Sequence, residues 1–212
     1  MKYIILFIIL LMLSSLSYGQ ANLGVFIGFN NSKLKGDAPE NSSYKSLIGL
    51  NAGANIDLKI APSLWLSLQP SYVQEGTNIS YTVSGMDEPV DSIKIRLNYF
   101  SIPLLLKVAT ANNRFYAIGG IETSFLLNST LTSNDVTEDI KLNLESLNIA
   151  MHFGAGLWIP IGFPRLFVEL RYAQGLLNLT KEPLDNDIIP RIKTGGFKVL
   201  AGIEIPLQKS DK

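Results

Sequence analysis

The sequence predicts an all-β protein, an eight-stranded antiparallel up-and-down barrel that crosses a membrane with its strands. Three observations carry that prediction. From Leu47 to Leu58 apolar and small or polar residues alternate: Ile48, Leu50, Ala52, Ala54, Ile56 and Leu58 against Gly49, Asn51, Gly53, Asn55 and Asp57. Successive strand residues point to opposite faces, so this is a strand with one greasy side. The other side carries Gly and Asn rather than the Lys, Glu and Thr of a wet sheet face. Such small groups suit a crowded, hydrogen-bonded interior and leave the apolar side for lipid. Secondly, long and short connections alternate along the whole chain. Thirdly, after the N-terminal segment no apolar run reaches the roughly 20 residues a membrane helix needs.

The elements follow in order. Met1 to Gly19 pairs one basic residue, Lys2, with the apolar run Tyr3–Leu13 and small residues at Ser17 and Gly19. It reads as a signal peptide cleaved before Gln20, with residues 20–212 forming the barrel domain. Predicted strands are Leu23–Asn30, Leu47–Leu58, Leu64–Glu75, Ile93–Ala109, Arg114–Asn128, Glu145–Ile159, Arg165–Leu179 and Gly195–Leu207. Polar segments Asn31–Ser46, Gly76–Asp91, Ser129–Leu144 and Thr180–Lys193 are the long loops. Ala61–Ser63, Thr110–Asn113 and Pro160–Pro164 are the short turns. In an up-and-down barrel every other connection lies at the same rim. One rim therefore carries all the long loops, as outer-membrane barrels do on their external side.

The predicted outward set includes Leu147, Ile149, Met151, Phe153 and Leu157 in the sixth strand and Phe197, Val199, Ala201, Ile203 and Ile205 in the eighth. The fourth strand breaks step. Ile93, Ile95 and Leu97 share one parity, and Phe100, Ile102, Leu104 and Leu106 the other. A bulge near Asn98 would put both sets outside, because one extra residue flips the faces that follow. Aromatic residues gather near strand ends, Trp65, Phe115, Trp158 and Phe163 by the short turns and Tyr72, Tyr81, Tyr99, Phe125, Tyr172 and Phe197 nearer the long loops. Two interfacial belts are the expectation.

The inward register collects Asp57, Lys107, Glu122, His152, Glu169, Arg171, Lys198 and Glu204. The bore of an eight-stranded barrel is just filled by side chains, and buried charge is tolerated only when paired. These residues are read as an internal ion network with a structural role. His152 is the sole histidine of the chain. With no nucleophile or second ligand marked beside it, no catalytic residue, metal site or cofactor site is predicted. Gly119-Gly120 and Gly154-Ala155-Gly156 lie inside strands with no helix following, which removes the mechanism of a phosphate loop and leaves the role of making room.

Composition narrows the function further. Lys and Arg total 18 against 18 Asp and Glu, so no basic excess points to nucleic acid. The chain has no cysteine, which excludes disulfides, thiolate metal sites and a lipid-modified cysteine.

The run Asn98-Tyr99-Phe100-Ser101-Ile102-Pro103-Leu104-Leu105-Leu106-Lys107 resembles the fourth-strand signature of the PorT family, small outer-membrane β-barrels of Bacteroidota. Gln69-Pro70-Ser71-Tyr72-Val73-Gln74-Glu75-Gly76 and Arg171-Tyr172-Ala173-Gln174-Gly175-Leu176 are similar to weaker motifs of that family. Ser101 stands where the family often has an acidic residue. The resemblance implies a non-enzymatic protein of the cell outer membrane, with membrane lipid around it and secretion or envelope proteins as partners. Two other readings remain open on the residues. One is a soluble exported β-barrel that turns its apolar face inward around a small hydrophobic ligand. The other is an enzyme at the rim using the acidic cluster Asp135, Glu138 and Asp139.

Overall fold

A computed structural model describes residues 20–36, 41–81, 90–133, 136–181 and 191–207. The signal-peptide segment lies outside them, as does most of the last predicted loop. Ten strand segments are present: β1 (Ala21–Gly36), β2 (Ser42–Ala61), β3 (Leu64–Leu68), β4 (Ser71–Tyr81), β5 (Val90–Ala109), β6 (Phe115–Ser133), β7 (Val136–Asp139), β8 (Leu147–Pro160), β9 (Arg165–Gly175) and β10 (Ile192–Pro206). All pairings are antiparallel, and they close a ring of eight, because β3 and β4 are two halves of one wall strand and β7 is a side arm. β1 pairs with both β2 and β10, so the ring of eight has no free edge.

Proline explains the divided third strand. Pro70 has no N–H to give the ladder, and the chain pauses at Gln69-Pro70 before resuming. The neighbours span the gap: Ala54 N–H donates to the Pro70 carbonyl at 3.0 Å and Gln69 N–H to the Pro103 carbonyl at 3.1 Å. Side-chain parity survives the pause. Trp65, Ser67, Gln69, Ser71, Val73 and Glu75 all point inward and are buried.

Outside, the wall is apolar. Val25, Ile27, Phe29, Leu104, Leu106, Ile121, Phe153, Leu170, Val199 and Ile203 are all exposed large hydrophobic residues. Exposed apolar area on this scale marks a lipid-facing surface. The soluble alternative is thereby overturned, since the apolar face is the outer one and the bore is charged.

Several wall features differ from expectation. The strands run on past the predicted loop boundaries. β1 and β10 stay paired up to Gly36 and Ile192, β2 and β4 pair up to Ser42 and Tyr81, and β6 runs on to Ser133, opposite Ile93 of β5. Beyond the apolar band both faces of a strand meet polar surroundings, so the period-two signal fades there although the ladder continues. β9 ends at Gly175, short of Leu179.

The fourth-strand parity is also corrected. A register shift does fall at Asn98/Tyr99 against β6, but Asn98 faces Asn128 while Tyr99 faces Leu126, so the extra residue is Leu127 of β6. β5 itself alternates without a break, and Leu97 and Tyr99 are both 1% exposed in the interior. Ile95 packs with them. The aromatic belts lose three members in the same way, because Trp65, Trp158 and Tyr99 point into the bore. Of the predicted members the outer surface keeps Phe115 and Phe163 at one end and Tyr72, Phe125 and Phe197 toward the other, where Phe29, Phe100 and Phe153 join them.

Candidate functional site

The bore is the chemically distinctive part of the molecule, and its side chains are set by the alternation of each wall strand. All eight residues of the inward charged set lie in it, each at least nine-tenths buried. They form two layers. In the layer nearer the short turns, the Lys107 ammonium of β5 lies 2.7 Å from Asp57 Oδ2 of β2 and 3.0 Å from a Glu169 oxygen of β9. Ser67 Oγ donates to the other Asp57 oxygen at 2.5 Å, from the position directly across the β2–β3 ladder. Glu169 and Arg171, two residues apart on β9, share a face and pair with each other, and Arg171 also donates to Gln69. Tyr116 OH donates to Glu169 Oε1 at 2.7 Å. Glu204 of β10 accepts from Asn55 Nδ2 at 3.1 Å and from Arg165 Nε at 2.5 Å.

The second layer lies nearer the long loops. Lys198 Nζ donates to both Glu122 oxygens at 3.0 Å and stands 3.6 Å from Glu75 Oε1. Ser124 donates to Glu122 at 3.2 Å, and Ser101 exchanges a hydrogen bond of 2.7 Å with Ser124. Ser101 therefore joins the network through its hydroxyl. His152 Nε2 is 3.4 Å from Glu122 Oε2, but neither ring nitrogen makes a hydrogen bond among the described residues.

Apolar side chains close each end of this charged core. Leu34, Leu97, Tyr99, Leu126 and Leu179 pack together beneath the long-loop rim. At the short-turn rim Trp65 and Trp158 meet with ring centroids 5.9 Å apart, and Tyr116 lies 4.2 Å from Trp158. Glycine makes room for the rings. A Cβ on Gly156 would come within 2.6 Å of three Tyr116 atoms, and one on Gly202 would meet the Phe167 ring at 2.5 Å.

Sequence reasoning missed Glu75, Gln69, Ser67, Tyr116 and Arg165 as members of the core, whereas Asn55 lies on the inner face the alternation of the second strand predicts. Continuing the parity of Trp65 through the third wall strand gives Ser67, Gln69 and Glu75, so the signal was present. Tyr116 follows in the same way from Glu122. At the long-loop rim, Glu138 and Asp139 lie exposed on β7, where Asp139 accepts the Lys141 backbone N–H at 2.9 Å. Asp135 lies outside the described residues. Among the described residues no group of histidine and acidic side chains could hold a metal ion.

A closed antiparallel ring with an apolar outer wall, a paired and buried charge core, and short turns at one rim defines an integral outer-membrane β-barrel. The chain belongs to the outer membrane protein beta-barrel domain family, whose model matches residues 14–181. No curated protein matches it. Among solved structures it is similar to Ail, the attachment invasion locus protein of Yersinia pestis, at 17% identity and a TM-score of 0.44, covering 88% of this chain and 99% of that one. Neisserial surface protein A matches at 11% identity and a TM-score of 0.49, over 86% and 96% of the two chains. OprG from Pseudomonas aeruginosa matches at 12% identity and a TM-score of 0.40, over 90% and 97%.

Proposed function

We propose that this barrel is a sealed, non-enzymatic scaffold that works through its surfaces rather than its bore. One observation carries the reading: two layers of mutually paired side chains fill the lumen, and an apolar cluster covers each end. Such a core leaves ions no hydrated path, and its charges stay buried because each has a partner. The wall extensions beyond the apolar band then carry recognition, with outer-membrane lipid as the surrounding partner.

The resemblance of the Asn98–Lys107 run supports a finer placement in the PorT-like barrels of Bacteroidota, with an accessory role toward secretion or envelope proteins. Planar-bilayer recording of the purified protein tests the sealed bore. The expected trace is flat, and reproducible unitary conductance steps would overturn the proposal. Crosslinking of a tagged protein in intact outer membranes tests the accessory role, which is discarded if the barrel is recovered without a stoichiometric protein partner.

A further inference from the structure

At the short-turn rim a cavity of about 820 Å³ opens outward from the tryptophan pair, and its lining includes Asn22, Lys59, Trp65 and Arg165. The polar atoms of that lining are unusual in sign. Asn22 and Trp65 are each 4% exposed, yet Asn22 Nδ2 and Trp65 Nε1 have no hydrogen-bond partner among the described residues. The same holds for Arg165 Nη2 and, just behind it, Trp158 Nε1. All four are N–H donors. A cluster of buried donors without acceptors is costly, and native structures satisfy such groups.

Charge has the same sign. Among the described residues the lining carries two cations, Lys59 and Arg165, and no carboxylate. Both cations lie over the Trp65 ring, with Lys59 Nζ 5.6 Å and the Arg165 guanidinium 5.7 Å from its centroid. Among the described residues the Lys59 ammonium donates to the neutral Gln20 side chain, at 3.2 Å, and to no carboxylate. Arg165 uses its Nε on Glu204, which also accepts from Asn55, and that leaves the outer end of the guanidinium for another acceptor. Guanidinium forks pair with planar or tetrahedral oxyanions through more than one N–H.

We propose that the periplasmic mouth of this barrel is an oxyanion-binding site, in which the Arg165 guanidinium and the Lys59 ammonium hold a carboxylate or phosphate group of a periplasmic ligand, with the buried donors of Asn22 and Trp65 adding to the positive potential behind them. The indole face and the exposed Phe163 at the rim offer apolar contact to whatever body carries the anion. Water alone would hydrate the two cations, but it would give no preference among anions.

Trp65 and Trp158 are the two tryptophans of the chain, so intrinsic fluorescence reports on this site alone. The full chain, folded in a nonionic detergent, is titrated with sodium phosphate, sodium acetate and, at matched ionic strength, sodium chloride. A saturable fluorescence change with phosphate or acetate that chloride does not reproduce supports the site, and the anion that acts identifies the group. Arg165→Gln is expected to weaken the apparent affinity about tenfold. Lys59→Gln, which leaves the Arg165–Glu204 pair intact, should weaken it about threefold if Arg165→Gln fails to fold. Equal responses to all three salts, no saturation, or unchanged affinity in the folded variants would overturn the assignment.

Discussion

Replacing Lys107 by Met tests the charge core most directly. Lys107, Asp57 and Glu169 are all fully buried, with the ammonium 2.7 and 3.0 Å from its two carboxylates. Met keeps most of the volume and removes the charge, so packing changes little and the loss falls on the abandoned partners. Those partners are unequally placed. Glu169 keeps Arg171 and the Tyr116 hydroxyl, whereas Asp57 keeps only the Ser67 hydroxyl. Breaking a buried pair from one side costs about 3–5 kcal/mol, most of it from the charge left behind. Lys107→Met should therefore lower unfolding free energy by about that amount, and adding Asp57→Asn should restore a large part of it. Urea unfolding in lipid vesicles, followed by tryptophan fluorescence and by gel mobility of unheated samples, measures both. A single variant within about 1 kcal/mol of the parent, or a double variant whose losses simply add, would refute the reasoning.

Other expectations follow from the same geometry. Gly156→Val should cost about 1–3 kcal/mol or more, because its side chain would occupy the place of the Tyr116 ring and displace that hydroxyl from Glu169; urea unfolding measures it. Ile121→Arg, in the exposed outer wall, should cost about 2–4 kcal/mol in a bilayer, a loss that shrinks in variants placed nearer either rim. Brominated lipids should quench the fluorescence only weakly, since Trp65 and Trp158 are 4% and 2% exposed; strong quenching would return them to an interfacial belt.

Legibility in the sequence tracked the contrast between the two sides of the wall. Where lipid lies on one side and a polar bore on the other, alternation is sharp, and it put Asp57, Glu122, Glu169 and Lys198 on the inner face without any structure. Where that contrast fails the reading fails. Above the apolar band, β1, β2, β4 and β6 continue with largely polar residues and looked like loop. Beneath the long-loop rim the inner face itself turns apolar, so Ile95 and Leu97 looked lipid-facing and a bulge in β5 was invoked to put them there. The true extra residue, Leu127, sits on the neighbouring strand, because a register shift belongs to a pair of strands and parity within one strand cannot say which partner carries it. The tryptophans were misplaced for a different reason: proximity to a strand end says nothing about face. The donor cluster at the mouth joins Asn22, Lys59, Trp65 and Arg165 from four wall strands, a meeting only the closed ring produces.

The length of the wall has a consequence for how this protein can vary. β2 and β5 are each 20 residues long. At about 3.3 Å per residue and a tilt of about 40°, such strands rise roughly 50 Å, against an apolar band of about 25 Å. The wall therefore stands well clear of the hydrocarbon, with β2–β4 pairing resuming above a register shift between Ser46 and Asn51 and continuing to Ser42 and Tyr81. Substitutions at the upper ends of these strands act far from the lipid boundary and from the charge core. The summit is free to diversify under selection by hosts, phages or partners while the buried base stays fixed, and lineages should diverge fastest at the top of the wall.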